Sequence, residues 1–264
     1  MIKPIKCIGT DFYPLFYDDD YEIIDEKILA KYIGEIILGY YAYVKDIIDQ
    51  LDNDNGPSNN EMIDAAIGKL NALSKEHLKG YLFQHMSWIA LASKYHSRQL
   101  RMYKPHDAAA QHGIDGLALL LDNDCNIKTI IITEDKCTKE PRTVMNSQVF
   151  PEFDDYENGK CYNKIISGIE SLIGEDRTLR KRIMKNVANK NLWQYRIGIS
   201  RDDAHNGSDD SRKALFKDYD KHVSDPQERR HAATIYIADT NAWATNLKDK
   251  VIQYLNSKKT KTHV

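Results

Sequence analysis

Three residues carry the clearest chemistry in this chain: Asp115, Glu134 and Lys136. Asp115 sits in Gly113-Ile114-Asp115-Gly116, at the entrance to the apolar run that ends at Leu121. Glu134-Asp135-Lys136 closes a second apolar run, Lys128 to Cys137, which is rich in β-branched residues. Successive strand side chains alternate faces, so Glu134 and Lys136 share one face and Asp135 takes the other. If the two runs pair through the turn Asp122-Asn123-Asp124, Asp115 and Glu134 meet at one end of a sheet. Two close carboxylates need a cation between them, and hard oxygen ligands with open positions suit Mg²⁺ or Mn²⁺. A lysine beside them holds an anionic oxygen, or orients and helps to deprotonate an attacking water. Charge neutralisation, an activated water and a fixed in-line geometry are what phosphodiester hydrolysis requires. The competing reading is a salt bridge at a strand end. A second acidic-x-Lys triplet, Asp25-Glu26-Lys27, has no apolar β-type run before it and reads as the start of a helix.

The elements that must position these residues follow from periodicity. From Glu26 to about Leu51, apolar residues recur at three- and four-residue steps and predict a helix, closed by the turn residues Asp52 to Ser58. A short helix is expected near 60–73, and a longer one from the N-cap Ser74 to about Tyr95. Residues 113–121 and 128–137 predict neighbouring antiparallel strands, with a preceding strand within 99–112. A loop containing Pro141 and Pro151 is expected next, then helices at about 160–173 and 176–190. Strands near 196–200 and 233–237 follow, separated by a loop at 202–211, and a final helix spans about 241–255. That order is α/β.

With those elements in place, Asp115 followed by Glu134-x-Lys136 resembles the PD-(D/E)xK motif of restriction-endonuclease-like nucleases, over about residues 75–240. The resemblance implies an αβββαβ core with a mixed four-stranded sheet and helices on both faces. It implies that Asp115 and Glu134 hold the divalent metal and that Lys136 serves the hydrolytic water. Many members place a Glu on the helix before the sheet; the matching stretch here is Gly80-Tyr81-Leu82-Phe83-Gln84-His85-Met86, which puts Gln84 at that position. An amide is a weaker metal ligand than a carboxylate, and His85 or Glu76 are the substitutes, although helix packing suits each better. Within the superfamily the chain looks most like the nuclease subunits of Hachiman anti-phage defence systems, which work with a HamB-type helicase. That likeness implies DNA as substrate, a bacterial cytoplasm and ATP use by the partner. No GxxxxGK[ST] occurs here to bind ATP.

Composition bounds these readings. The chain has 264 residues, 42% hydrophobic and 29% charged, which fits a globular fold with a sizeable core. No apolar run approaches the roughly 18 residues of a membrane span, and residues 1–6 do not resemble a signal peptide. Four cysteines without a CxxC pair fit a reducing cytosol and argue against a zinc ribbon. Residues 1–70 carry 14 Asp and Glu against 6 Lys, a balance of −8 that leaves +6 on the rest. An acidic front repels phosphate while a basic body attracts it. We therefore expect residues 1–70 to form an acidic, helical N-terminal segment for partner docking, and 71–264 the nuclease-like domain.

The basic stretch Arg177, Arg180, Lys181, Arg182 and Lys185 is the candidate phosphate-tracking helix, with a solvated face as the alternative. His106 and His112 flank the motif without metal-ligand spacing. Trp88, Trp193 and Trp243 sit among apolar neighbours and read as core. Two functions from different classes fit: a metal-dependent nuclease acting on DNA or RNA, or a catalytically inactive nuclease-like fold kept as an interaction or nucleic-acid-binding subunit.

Overall fold

The computed structural model describes residues 3–49, 59–95, 99–107 and 114–259. The turn expected at 52–58, together with Gly113, His112 and the last tail residues, lies outside them. The chain opens with β1 (Ile5–Phe12) and β2 (Phe16–Ile23), followed by α1 (Glu26–Ile37), α2 (Tyr41–Ile48), α3 (Asn60–Ala72) and α4 (Lys75–Lys94). Then come β3 (Leu100–Met102), β4 (Gly116–Leu121) and β5 (Ile127–Lys136). The crossover from β5 holds α5 (Pro141–Val144), a π-helical turn (Met145–Val149), α6 (Phe150–Glu157), α7 (Tyr162–Ile173) and α8 (Arg177–Met184). It leads to β6 (Trp193–Arg201), α9 (Asp209–Leu215), α10 (Tyr219–His222), β7 (Arg230–Tyr236) and α11 (Thr240–Ser257). None of these helices is long and apolar enough to cross a membrane.

The seven strands form one mixed sheet in the order β1-β2-β7-β6-β5-β4-β3. β5, β6, β7 and β2 run parallel, while β1, and β4 beside β5, run against them. β4 and β5 are near-continuous apolar runs because both sheet faces are covered. Ala118, Leu120 and Ile131 face α4. Leu117, Leu119, Ile130 and Ile132 face the layer built by α6, α7 and α8.

Local signals explain most boundaries. Asp25 caps α1 by accepting from the Lys27 and Ile28 N–H groups, so the Asp25-Glu26-Lys27 triplet does open a helix. Ser74 caps α4 through the His77 N–H. The single helix expected from Glu26 to Leu51 is two: Gly39, at φ +95, breaks the chain between α1 and α2.

Two expectations need correction. Residues 1–70 do not form a helical segment apart from the sheet. Residues 5–23 are a β-hairpin whose second strand pairs with β7, and α1, α2, α4 and α11 share one core with Ile5 and Tyr21. The run Asp18-Asp19-Asp20 is tolerated in a strand because each carboxylate finds a partner, as buried charges must. Asp19 bonds Lys94 and His231, at 2.6 and 2.7 Å. Asp18 accepts from Thr234 at 3.1 Å, and Asp20 from Arg201 at 2.6 Å.

The loop expected around Pro141 and Pro151 is instead helical from 141 to 157. Pro141 opens α5 where no N–H bond is needed, and Pro151 falls in the first turn of α6, just after the π-helical turn. The loop expected at 202–211 likewise contains the start of α9, closed by a Ser208–Ser211 capping box.

Candidate active site

The β4–β5 ladder places the carboxylates. Gly116 pairs with Thr133, so the next residues outward, Asp115 and Glu134, leave the ladder together at the sheet edge where β5, β6 and β7 end. Beyond that point the Asp115 side chain replaces the ladder: its Oδ2 accepts the Asp135 N–H at 3.0 Å. Lys136 Nζ lies 3.2 Å from Glu134 Oε2 and 3.6 Å from Asp115 Oδ2. Asp115, Glu134 and Lys136 therefore converge. Asp135 turns to the opposite face, where Ser87 Oγ donates to it at 2.6 Å and Arg196 Nη1 stands 3.6 Å away.

The electrostatics of the trio are unbalanced. Glu134 is buried, and burial first, then Asp115, pushes its pKa well above the usual carboxylate range. Burial pulls Lys136 down, but Glu134 and then Asp115 outweigh it, so its ammonium is held protonated. Glu134 Oε1 is buried and has no hydrogen-bond partner among the described residues. With Glu134 ionised, two carboxylates around one lysine leave one negative charge in excess, and Glu134 Oε1 remains an unsatisfied acceptor.

A divalent cation fits that deficit. Among the described residues, no group of three or more His, Cys, Asp and Glu side chains is arranged to hold a metal. Asp115 and Glu134 are the two carboxylates that converge here. This matches Mg²⁺, which keeps several waters and binds through one or two carboxylates plus substrate phosphate.

Gln84 does not join Asp115, Glu134 and Lys136. Its Nε2 donates to the Asp115 carbonyl at 2.8 Å, and its Oε1 accepts the His106 N–H at 3.3 Å. That position needs a donor and an acceptor in one side chain, which a carboxylate does not supply. His85 is buried, bonded to the Tyr81 carbonyl and packed against the Tyr81 ring at a tilt of 51°. Burial holds it neutral, with a pKa near 4. Glu76 pairs with Lys79 at the helix surface. Neither substitutes for a helix carboxylate.

The basic helix stands elsewhere. Arg182 bonds the Asp124 carbonyl in the β4–β5 turn, and Arg180 the Gly174 carbonyl at 2.9 Å. Arg177, Lys181, Arg182 and Lys185 line an open groove there with Asn126 and Asn186. The turn lies at the far end of β5 from Lys136, about 30 Å away at the rise of a strand. Both features lie on one sheet face.

The structure also brings in Glu152, which the sequence analysis did not single out. Its carboxylate adds to the repulsion on Glu134 and to the field on Lys136, and it accepts the Tyr156 hydroxyl at 2.9 Å. Glu152 and Tyr156 stand four apart on α6, a helical spacing hidden by the two prolines that precede Glu152. Trp88 and Trp193 are buried and bond backbone carbonyls, as core tryptophans do.

No family model, no curated protein and no solved structure matches the chain.

Proposed function

We propose that the protein is a metal-dependent nuclease of the restriction-endonuclease-like class that hydrolyses DNA phosphodiester bonds. The observation that carries this reading is the convergence of Asp115, Glu134 and Lys136 with a buried, unpartnered Glu134 oxygen. The order α4, β3, β4, β5, crossover helices, β6 supports it, since it follows the αβββαβ sequence of elements. Asp115 and Glu134 would hold Mg²⁺ or Mn²⁺, which when bound neutralises phosphate charge and acidifies a water. Lys136, held as an ammonium, offers its protons to a phosphate oxygen beside the two carboxylates. The α8 groove would hold a phosphate backbone remote from the reacting bond.

From the resemblance of the motif we extend the proposal to context. The chain would be the HamA-like effector subunit of a Hachiman-type anti-phage complex in a bacterial cytoplasm, with a HamB-like helicase as partner. The acidic N-terminal part, through helices α1 to α3, is the side we assign to that partner, because its charge repels phosphate.

A non-catalytic, nucleic-acid-binding subunit is the second reading. One observation favours it: Gln84 bonds backbone groups at the position where the motif resemblance implies a helix carboxylate. Incubation of plasmid and linear DNA with the protein separates the two. Cleavage that requires Mg²⁺, stops with EDTA and is lost in Glu134→Ala supports the nuclease. Binding without cleavage under all these conditions supports the alternative.

A further inference from the structure

Two residues of α4 reach the ends of the two strands that carry the carboxylates. Gln84 and Ser87 stand three apart, so they project from one helix face. Gln84 grips β4 through the Asp115 carbonyl, at 2.8 Å. Ser87 grips β5 through Asp135 Oδ1, at 2.6 Å. Ser87 is itself fixed, because its Oγ accepts from Arg196 Nη1 at 2.9 Å, and Arg196 Nη2 donates to the Tyr21 hydroxyl at 3.2 Å. All four side chains are buried on the face opposite Glu134 and Lys136.

The two grips act where the sheet no longer does. The β4–β5 pairing ends at Gly116 and Thr133, and past it the strand ends are tied directly by the Asp135 N–H to Asp115 bond and the Lys136–Asp115 ion pair, at 3.0 and 3.6 Å. The separation of Asp115 from Glu134 is therefore set by these two side-chain ties and by α4.

We infer that Gln84 and Ser87 form a positioning clamp that sets the distance between the Asp115 and Glu134 carboxylates, and with it the affinity of this site for a divalent cation. The clamp rests on the nuclease reading above but assigns its residues a role outside metal ligation. It also accounts for an amide at position 84: Gln84 must donate to one backbone group and accept from another. Loosening the clamp leaves both carboxylates and the lysine present but costs energy to bring them together on the metal. Partners that orient metal ligands typically change affinity by about 10–100-fold when removed.

The test uses the full chain with Mn²⁺ as the binding probe and Mg²⁺ in the cleavage assay. Gln84→Met/Ser87→Ala keeps side-chain volume roughly and removes both grips. The expected result is Mn²⁺ binding, by calorimetry, weaker by about tenfold or more, with the half-saturating Mg²⁺ for cleavage rising in parallel. At saturating Mg²⁺ the maximal rate and the DNA affinity should return to near wild type. A purely structural role would lower the melting temperature and leave the cation dependence alone. A folded double variant with wild-type Mn²⁺ affinity overturns the clamp while leaving the nuclease reading intact. If the double variant does not fold, Ser87→Ala alone must show weaker Mn²⁺ binding in the same direction, and unchanged binding there overturns the clamp. If the wild-type chain binds no Mn²⁺ and cuts no DNA, the nuclease reading fails and the clamp with it.

Discussion

Gly198 lies so close against Asp135 that no side chain fits between them. A Cβ at position 198 would stand 1.9 Å from Asp135 Oδ1 and 3.1 Å from Ser87 Oγ. The two residues are register partners on β6 and β5, so the space is made only if the Asp135 carboxylate gives up its places beside Ser87 and Arg196. Gly198→Ala should therefore cost about 1–3 kcal/mol, as overpacking a tight interior does. Urea unfolding measures it, and an alanine variant as stable as wild type would show that Asp135 is not held where described.

Glu134→Gln separates stability from chemistry. The amide keeps the shape but removes a buried charge that Asp115 repels, so the melting temperature in EDTA should stay level or rise. Cleavage should fall by about 10²–10³, the usual cost of removing one group that stabilises transition-state charge. The same fall is expected for Lys136→Ala. Wild-type cleavage rates in either variant would remove these residues from the chemistry.

Asp18 gives a pH signature away from the candidate metal site. Burial raises it from 3.8 to about 6, against the opposing pull of Thr234 and Arg212. The native state then binds this proton more tightly than the unfolded chain does. Its contribution is complete below about pH 4 and is lost as pH rises through about 6. The rise from 3.8 to about 6 corresponds to a change on the order of 3 kcal/mol. Asp18→Asn should flatten the fall in stability between those pH values, measured by denaturant unfolding across the range.

Neutralising Arg180, Lys181 and Arg182 together should weaken DNA binding and flatten its log–log salt dependence by up to about three units. Because α8 lies at the far end of β5, the maximal cleavage rate at saturating DNA should hardly change. A salt slope equal to that of wild type would return α8 to the role of a solvated face.

Removing residues 1–24 should prevent folding rather than release a working domain. The hairpin supplies the Tyr21 partner of Arg196, the Asp19 partner of Lys94 and His231, and the strand beside β7. Circular dichroism and gel filtration of the shortened chain check this; a folded, monomeric product would refute it.

Much of the chain from α4 through β5 was legible because its signals are local. Apolar periodicity, Ser74 as a cap and the Asp122–Asp124 turn define α4, β4 and β5 with bounds close to those observed. Alternation along β5 suffices to put Glu134 and Lys136 on one face and Asp135 on the other. The N-terminal hairpin was not legible. Asp18, Asp19 and Asp20 look hostile to a strand until their cationic and hydroxyl partners arrive from α4, β6, α9 and β7, up to 216 residues away in sequence.

The tertiary structure alone decided the rest of the site. Pro141 and Pro151 disguise the helix that brings Glu152 toward Glu134, because a proline's cost depends on where the helical turns begin. Gln84 reads as a missing carboxylate in sequence, and only packing shows it bonded to the Asp115 carbonyl and the His106 N–H. The basic helix carries its charge openly in sequence, yet its distance from Lys136 follows from which end of β5 the turn occupies. Residue type and spacing determine which groups share a strand face, since alternation is a property of the backbone. Which faces meet, and what each buried charge finds there, depends on contacts between residues far apart in the chain, and those exist only once the sheet has closed.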